Sequence, residues 1–379
     1  MPEAVIVEAL RTPVATSFKG SLRDVDAFAL ADRIVGAAAA KLDPAAVDDV
    51  ILGEGLYGGG VVARHAAVTA GLTNVPGLAL NRHCAAGLSS VQMAAASIRA
   101  GMDELIIAGG VNSMSTAPRG YRVVGEERVD WNSPTHPDRP DAPNRDMSIT
   151  VGWNAAQRAG VTREEMDAWA LRSHRNALRA IDEGRFADEV VPVETPRGLF
   201  EVDEHPRRDT TLAKLASLKP LHPEIEGFSI TAGNASGVND AAAALVVASD
   251  RLGLPALATV RAWASVGVDP AETGLAPVKA IPKALSRAGL TPGDVDLFEI
   301  NEAFAAMCVA TIALLGLDPE RVNVNGSGCG LGHPVAATGS RMLVTLVHEL
   351  RRRGGGIGVA AMCAGGGMGS AAVIEVHTP

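Results

Sequence analysis

Four residues of the 379-residue sequence have types and settings that could do chemistry together. Cys84 follows a short apolar run, Asn301 opens a helix-like segment, His333 lies between a glycine and a proline, and Cys363 precedes a triple glycine. Two thiols, an imidazole and a carboxamide on separate turns suit acyl transfer through a thioester. The set predicts a cysteine nucleophile, a base and a second thiol.

Cys84 is the expected nucleophile. The apolar residues before it predict a strand and the small residues 86–100 predict a helix, so the thiol should lie near a helix N-terminus. There the backbone N–H groups and the helix dipole favour a thiolate and could hold an oxyanion. The simpler alternative is a buried structural cysteine, the common state of a lone one.

His333 is the expected base. Glycines before it and small residues after it predict a tight turn into a helix, with the imidazole exposed. Such a histidine could take a thiol proton or donate to an oxyanion. Asn301 taken alone is most simply a helix cap, and Glu302 a charge partner of the first helical turn.

Cys363 stands two residues before Gly365-Gly366-Gly367. A phosphate-binding glycine loop fits this segment poorly, because no Lys-Ser/Thr pair follows and residues 371–376 are strand-like. A glycine turn after a thiol is better suited to aim a backbone N–H at a reacting oxygen, while Cys363 moves a proton.

The elements that position these residues alternate in the first and last thirds of the chain. Residues 1–117 alternate between strand and helix, and the pattern resumes from 258, which predicts a mostly parallel sheet with helices on both faces. Leu42-Asp43-Pro44 before 47–50 resembles Leu290-Thr291-Pro292 before 295–297, which indicates an internal duplication of long period. Two such halves, facing each other, would bring turns from both to one site.

Residues 118–237 interrupt the alternation. Residues 131–146, rich in Pro, Asp, Arg and Asn, predict an irregular loop, and residues 162–183 predict a helix with a capping box. The segment is either a surface insertion without function or a lid that binds a ligand.

Composition limits the class of protein. Apolar residues make up 47% and charged residues 20%, as in globular proteins, and a net charge of -9 argues against a general nucleic-acid binder. No uninterrupted apolar run reaches about 18 residues, so no membrane span is expected. The first residues read as a strand rather than a signal peptide, and the four cysteines lack metal-binding or secreted disulfide spacing. We therefore expect a cytoplasmic protein with reduced thiols.

The motifs together resemble those of the thiolase family, in order and spacing, over essentially the whole chain. The matching segments are Asn81-x-x-Cys84-x-x-Gly87-Leu88, Asn301-Glu302-Ala303-Phe304-Ala305, Leu331-Gly332-His333-Pro334, Cys363-x-Gly365-Gly366-Gly367, Thr231–Gly237 and Glu8–Pro13. The resemblance implies an α/β thiolase fold of duplicated βαβαβαββ halves in a five-layered α/β/α/β/α arrangement. It implies an N-terminal half over 1–117, completed by about 238–257, a loop domain for coenzyme A (CoA) binding over 118–237, and a C-terminal half over 258–379. It also implies a homodimer or homotetramer.

The resemblance also implies residue roles. Cys84 would be the acylated nucleophile activated by His333, and Cys363 the acid and base of the second proton transfer. Asn301 would hold a water that forms one oxyanion hole with His333, and the N–H groups of Cys84 and Gly365 would form the other. CoA would be a co-substrate alongside 3-ketoacyl-CoA and acetyl-CoA, with no permanently bound cofactor or metal. The family's CoA contacts fall on Arg207, Ala232, Ser236, Phe304 and Met147.

Some positions depart from the family pattern. Asp146 stands where short-chain biosynthetic members usually have His, Thr273 where many have Met, and Cys329 where a small or aliphatic residue is common. The smaller residue at 273 favours a roomier acyl pocket and the degradative direction. A biosynthetic acetoacetyl-CoA thiolase and a non-catalytic acyl-CoA or lipid-binding protein of the same fold are the alternatives. Two other enzyme classes fit the sequence less well. Cys363 disfavours a 3-ketoacyl synthase, and a cysteine hydrolase would not need a second thiol. A redox pair of Cys84 with Cys363 stays open.

Overall fold

The computed structural model describes residues 1–55 and 60–378. The strands are β1 Ala4–Arg11, β2 Ala15–Thr16, β3 Asp49–Gly53, β4 Gly77–Leu80, β5 Leu105–Asn112, β6 Gly120–Val124, β7 Glu127–Trp131, β8 Val193–Thr195, β9 Gly198–Phe200, β10 Asn239–Ser249, β11 Ala258–Gly267, β12 Leu297–Ile300, β13 Gly356–Ala364 and β14 Met368–Val376. The helices are α1 Ala27–Ala39, α2 Val62–Thr69, α3 Ala86–Ala100, α4 Asn154–Ala159, α5 Arg163–Asp182, α6 Leu212–Ala216, α7 Ala276–Ala288, α8 Ala305–Leu315 and α9 Thr338–Arg352.

The core strands form one continuous sheet in the order β4-β3-β5-β10-β1-β11-β14-β13-β12. The two halves of the sheet have the same strand order. The first half runs β1-β10-β5-β3-β4 and the second runs β11-β14-β13-β12. In the second half, a parallel bridge from Phe298 of β12 to Val322 takes the place of the fifth strand. The halves join where β1 pairs with β11 at Val5 and Ile6. The repeated order agrees with the duplication inferred from the sequence.

The expectation of a mostly parallel sheet is wrong. Among the described core strands, parallel pairing is confined to β3 with β4 and β5, and to β12 with β13. The remaining pairs, those of β1, β10, β11 and β14, are antiparallel. Helices cover both faces of this sheet, so its antiparallel strands carry the continuous apolar runs that usually indicate parallel ones.

Alternate residues of the central strands face different layers of helix. In β10, Ala244 packs in the cluster of α1 and α2, whereas Leu245 packs in the cluster of α3 and α9. In β13, Met362 faces α3 and α9 while Cys363 faces α7 and α8. The layers are therefore α1/α2, a half-sheet, α3/α9, the second half-sheet and α7/α8, which is the five-layered arrangement that the resemblance implied.

The chain between β5 and β10 contains two short hairpins and α4–α6. The predicted helix is α5, and its capping box is present, because Thr162 Oγ1 accepts from the N–H of Glu165 while the Glu165 carboxylate accepts from the N–H of Thr162. Residues 132–146 lack helices and strands, as predicted, except that the predicted loop began at Trp131, which ends β7. This irregular loop reaches the glycine turn after β13, where Thr135 packs against Gly365 and Gly366.

Three global features bear on function. Within residues 1–55 and 60–378, every helix is too short or too polar to cross a membrane. The four cysteines are unpaired thiols. In the same described residues, no group of three His, Cys, Asp or Glu side chains is placed to hold a metal ion.

Candidate active site

Cys84 lies just before α3, on the turn that links β4 to that helix. Its neighbour His83 adopts a φ of 46°, unusual for a residue with a side chain, and donates its N–H to Asn81 Oδ1 at 2.7 Å. The backbone N–H groups of Gly365 and of Cys84 itself favour the Cys84 thiolate and so lower the pKa of the thiol. Burial raises the pKa of the Cys84 thiol more than these two N–H groups lower it.

The glycine turn after β13 can be built only from glycine at its second and third positions. Gly366 and Gly367 have φ of 90° and 79°, and a Cβ on Gly367 would lie 2.3 Å from the carbonyl oxygen of Val268. Thr273 Oγ1 accepts from the N–H of Gly367 at 3.0 Å and donates to the carbonyl of Pro270 at 2.6 Å. The fully buried Thr273 therefore holds the turn that presents the N–H of Gly365.

Cys363 is buried on β13 and faces Cys84. Its thiol is 3.5 Å from the sulfur of Met307 in α8. Burial, and next the negative charge of a Cys84 thiolate, raise the pKa of Cys363 well above its ordinary value. A thiol with a raised pKa keeps its proton until a strong base forms beside it, which suits an acid.

His333 is buried, with only 5% of its surface exposed, so the expectation of an exposed imidazole is wrong. Its turn packs against β10: the His333 N–H donates to Asn239 Oδ1 at 2.9 Å, and Gly332, at φ 103°, has no room for a Cβ beside Asn239. The Nδ1 atom lies 2.6 Å from Thr338 Oγ1. Burial, and next the charge of Arg341, lower the pKa of His333 to about 3, so the ring is neutral near neutral pH.

Asn301 follows β12 directly and faces His333. Its N–H donates to the carbonyl of Ala361 at 2.9 Å, and its Nδ2 lies 3.4 Å from each ring nitrogen of His333. Its Oδ1 is buried without a hydrogen-bond partner in the part of the chain that the structure describes. The helix-cap interpretation is wrong, because α8 begins only at Ala305 and the residue that precedes it is Phe304.

Glu302 is a buried carboxylate with four hydrogen bonds, a structural role that the sequence did not predict. Its carboxylate accepts from Trp169 Nε1 at 2.9 Å, Ser173 Oγ at 2.6 Å, Asn323 Nδ2 at 2.7 Å and the N–H of Cys329 at 3.0 Å. It is therefore not a helix-dipole partner. These donors come from α5 and from the segment before His333, and no local pattern around residue 302 could reveal them.

The starts of α3 and α9 bring the thiol and the imidazole segments together. A Cβ on Gly87 would lie 2.6 Å from the carbonyl oxygen of Ala336, and a Cβ on Gly339 would lie 2.5 Å from Leu88 Cβ. The two helices thus meet at glycines, one just after Cys84 and the other just after the His333 turn. This contact is what the duplication makes possible, because each half supplies one of the two helices.

The residues expected to contact CoA lie on one side of this site. Arg207 and Ala232 line a cavity that is also lined by His174, His205, Lys214, Leu215, Leu218, Ala235 and Cys329. Ser236 donates its N–H to the carbonyl of Ala303 at 2.9 Å, which sets it beside Phe304. Met147 packs near Gly365. The five residues thus extend from the cavity to the glycine turn.

Two buried histidines in this cavity were not singled out from sequence. The rings of His174 and His205 stack with centroids 6.1 Å apart, and burial lowers both pKa values to about 4. The N–H of Arg207 donates to His174 Nδ1 at 3.3 Å. The pair is therefore neutral and shapes the wall that carries Arg207.

A duplicated fold with two thiols, an imidazole and a carboxamide around one turn is the class of a cysteine-dependent acyltransferase. Residues 4–251 match the thiolase N-terminal domain and residues 254–376 match the thiolase C-terminal domain. The chain belongs to the thiolase family, as its motifs indicated.

Relatives of full length support this assignment. The chain is 44% identical to an acetyl-CoA acetyltransferase of Pseudomonas aeruginosa over 98% of both chains. It is 39% identical to a 3-ketoacyl-CoA thiolase of Bacillus subtilis, covering 99% of this chain and 100% of that one. The crystal structure of human mitochondrial 3-ketoacyl-CoA thiolase superposes with a TM-score of 0.91 at 36% identity, over 99% of each chain.

Proposed function

We propose that this protein is a thiolase that cleaves 3-ketoacyl-CoA with CoA, giving acetyl-CoA and a shortened acyl-CoA, through an acyl-enzyme on Cys84. The same steps in reverse are a Claisen condensation. The observation that carries the proposal is the convergence of the Cys84 sulfur, the Gly365 N–H and the Cys363 thiol at one turn. A nucleophile, a donor for an oxyanion and a separate acid are what this carbon–carbon cleavage requires.

In the first half-reaction the neutral His333 takes the proton of Cys84, and the thiolate attacks the 3-keto carbon of the substrate. The oxyanion formed there accepts hydrogen bonds from the N–H groups of Cys84 and Gly365. The bond between carbons 2 and 3 then breaks, leaving the acyl group on Cys84 and an acetyl-CoA enolate. The imidazolium of His333 and a water on Asn301 stabilise the enolate oxygen, and Cys363 gives its proton to carbon 2.

In the second half-reaction the Cys363 thiolate takes the proton of an incoming CoA thiol. The CoA thiolate attacks the thioester carbonyl, and the same two N–H groups hold the oxyanion. The bond to Cys84 breaks and acyl-CoA leaves. The Cys84 thiolate recovers its proton from His333, so the enzyme returns to its starting state.

The CoA parts of both substrates would lie along Arg207, Ala232, Ser236, Phe304 and Met147. Arg207 supplies positive charge in a protein of net charge -9, which suits phosphate groups, whereas the nearby Lys214 is ion-paired with Asp209 at 2.7 Å. We assign fatty-acid β-oxidation in the cytoplasm as the setting, with the degradative direction favoured. Biosynthetic acetoacetyl-CoA formation is the second candidate, since relatives such as that of P. aeruginosa are named acetyl-CoA acetyltransferase.

The test is CoA-dependent loss of acetoacetyl-CoA and of a medium-chain 3-ketoacyl-CoA. Wild type should cleave at least one of them, and Cys84→Ala should cleave neither. Cys308→Ala is the matched control, because Cys308 is a buried thiol of α8 outside the proposed mechanism. The ratio of the two rates separates the degradative candidate from the biosynthetic one. Undiminished cleavage by folded Cys84→Ala would reject the mechanism.

We also propose that the enzyme is a homodimer or homotetramer. Among the described strands β4 has β3 as its single partner, and Leu78 on it and Met93 on α3 are 38% and 44% exposed. An open edge strand with apolar neighbours favours pairing with a second copy. Light scattering during gel filtration gives the mass, and a monomer at micromolar concentration would contradict the proposal.

A further inference from the structure

We propose that Thr338 is a positioning residue that keeps the proton of neutral His333 on Nδ1, leaving Nε2 free to act as the base. Thr338 is the first residue of α9, and its side chain and that of His333 are both buried. Thr338 Oγ1 lies 2.6 Å from His333 Nδ1 and 3.0 Å from the carbonyl oxygen of Pro334. Both contacts are short enough for hydrogen bonds.

The single hydroxyl proton decides which way these bonds run. A threonine hydroxyl has one O–H to donate and two lone pairs that accept. In helices this hydroxyl commonly donates to the carbonyl four residues earlier, and for Thr338 that carbonyl belongs to Pro334. Once the proton is directed there, the oxygen can only accept from Nδ1, so Nδ1 carries the hydrogen.

Asn301 does not choose between the two tautomers, because its Nδ2 is a donor 3.4 Å from both Nδ1 and Nε2 of His333. In the opposite tautomer the Thr338 hydroxyl would have to donate to Nδ1 and would turn away from the Pro334 carbonyl. The Nδ1–H tautomer is thus the one that keeps both short contacts of Thr338 Oγ1 as hydrogen bonds.

The tautomer of His333 decides which ring nitrogen can take the Cys84 proton. Only this step of the inference rests on the proposed thiolase function. A base that takes the Cys84 proton needs a lone pair, and the neutral imidazole has one such nitrogen. Thr338 would place that lone pair on Nε2 and would still accept from Nδ1–H after Nε2 gains a proton. The tautomer is thus set by the bond that the other nitrogen makes.

Two substitutions separate the hydroxyl from the shape of the side chain. Thr338→Val removes the hydroxyl at nearly constant volume, and Thr338→Ser retains it. The Pro334 carbonyl keeps its bonds from the N–H groups of Ala337 and Thr338, at 2.8 and 2.9 Å, in either variant. The matched control is Thr311→Val, since Thr311 is also buried and its hydroxyl donates at 2.7 Å to the Met307 carbonyl four residues earlier.

The first readout is the tautomer itself, from ¹⁵N chemical shifts of histidine-labelled protein with His333→Gln as the assignment variant. Wild type and Thr338→Ser should show a proton-bearing Nδ1, and Thr338→Val a raised share of Nε2–H. The second readout is alkylation of Cys84 by iodoacetamide at neutral pH, measured on its peptide. Thr338→Val should slow it, whereas Thr338→Ser and Thr311→Val should not.

Turnover gives the third readout. We expect Thr338→Val to lower kcat by roughly 10- to 100-fold, less than the roughly 100- to 10,000-fold that a general base contributes, because the base is misdirected and not removed. We expect little change in KM for CoA. An Nε2–H tautomer in wild type, or equal losses in Thr338→Val and Thr311→Val, would overturn the proposal. A wild type without thiolysis would reject the proposed function instead, because the tautomer and the alkylation are measured without CoA substrates.

Discussion

The backbone N–H of Gly365, near the end of the chain, opposes the rise that burial causes in the pKa of the Cys84 thiol, in its first third. Cys84 stands before α3 and Gly365 follows β13, so this interaction links the two halves of the duplicated fold. An N–H that lies against the nucleophilic sulfur is also close to the carbonyl oxygen of any acyl group bound there. In the proposed mechanism this N–H would already be in place as an oxyanion donor before substrate arrives.

The resting pair of Cys84 and His333 should be uncharged. The pKa of the thiol lies above its ordinary value of 9.0, and the pKa of the imidazole lies at about 3. Between these values the thiol keeps its proton and the ring has none, so the thiolate fraction rises as pH rises toward the raised thiol pKa. Alkylation of Cys84 by iodoacetamide should accelerate with pH, approaching tenfold per unit below that pKa. A fast rate that stays flat between about pH 6 and pH 8 would instead indicate a preformed thiolate–imidazolium pair.

Asn301→Asp should lower kcat without weakening CoA binding. The substitution keeps the shape of the side chain but replaces the Nδ2 donor near His333 with a carboxylate oxygen. Loss of one donor at an oxyanion site costs roughly 100- to 1000-fold in kcat. Steady-state kinetics with acetoacetyl-CoA and CoA measure the split between kcat and KM. A kcat near that of wild type would remove Asn301 from the mechanism.

The sequence was most informative where residues are next to each other in the chain. A capping-box motif predicted the start of α5, and the repeated motif before 47–50 and 295–297 agrees with the strand order repeated in the two halves. Glycine spacing predicted the turn after Cys363. Each of these features is decided by local backbone preferences or by a motif that occurs twice.

Features decided by long-range packing were not accessible from one sequence. Strand direction was wrong because burial on both faces gives parallel and antiparallel strands the same apolar pattern. The burial of His333 depends on β10, and the four hydrogen bonds to Glu302 depend on residues of α5 and of the segment before His333. Such partners become visible only once the fold has brought distant segments together.

Glu302→Gln should destabilise the protein and reduce its activity. Each of the two Glu302 carboxylate oxygens accepts two hydrogen bonds. The amide nitrogen of glutamine would face two donors whichever oxygen it replaced. A buried group left unsatisfied costs about 1–3 kcal/mol, and the displaced turn also carries Asn301. Urea unfolding and kcat should both respond. Glu320→Gln, at a carboxylate whose side chain is 84% exposed, is the control and should leave both near wild type.

Gly87→Ala and Gly36→Ala should change stability in opposite directions. Both glycines lie in helices, but a Cβ at Gly87 would come within 2.6 Å of the Ala336 carbonyl, whereas a Cβ at Gly36 meets nothing within 4 Å. Alanine at position 36 should stabilise by about 0.4–1 kcal/mol, because it restricts the unfolded chain without strain. Alanine at position 87 must separate α3 from the residues after His333, at a cost of about 1–3 kcal/mol, and should lower kcat as well. Thermal unfolding measures the stability of both variants, and thiolysis of acetoacetyl-CoA measures their kcat.

The same change in stability and in kcat for Gly87→Ala and Gly36→Ala would contradict this prediction. It would mean that the approach of α3 to the His333 turn does not position the catalytic groups.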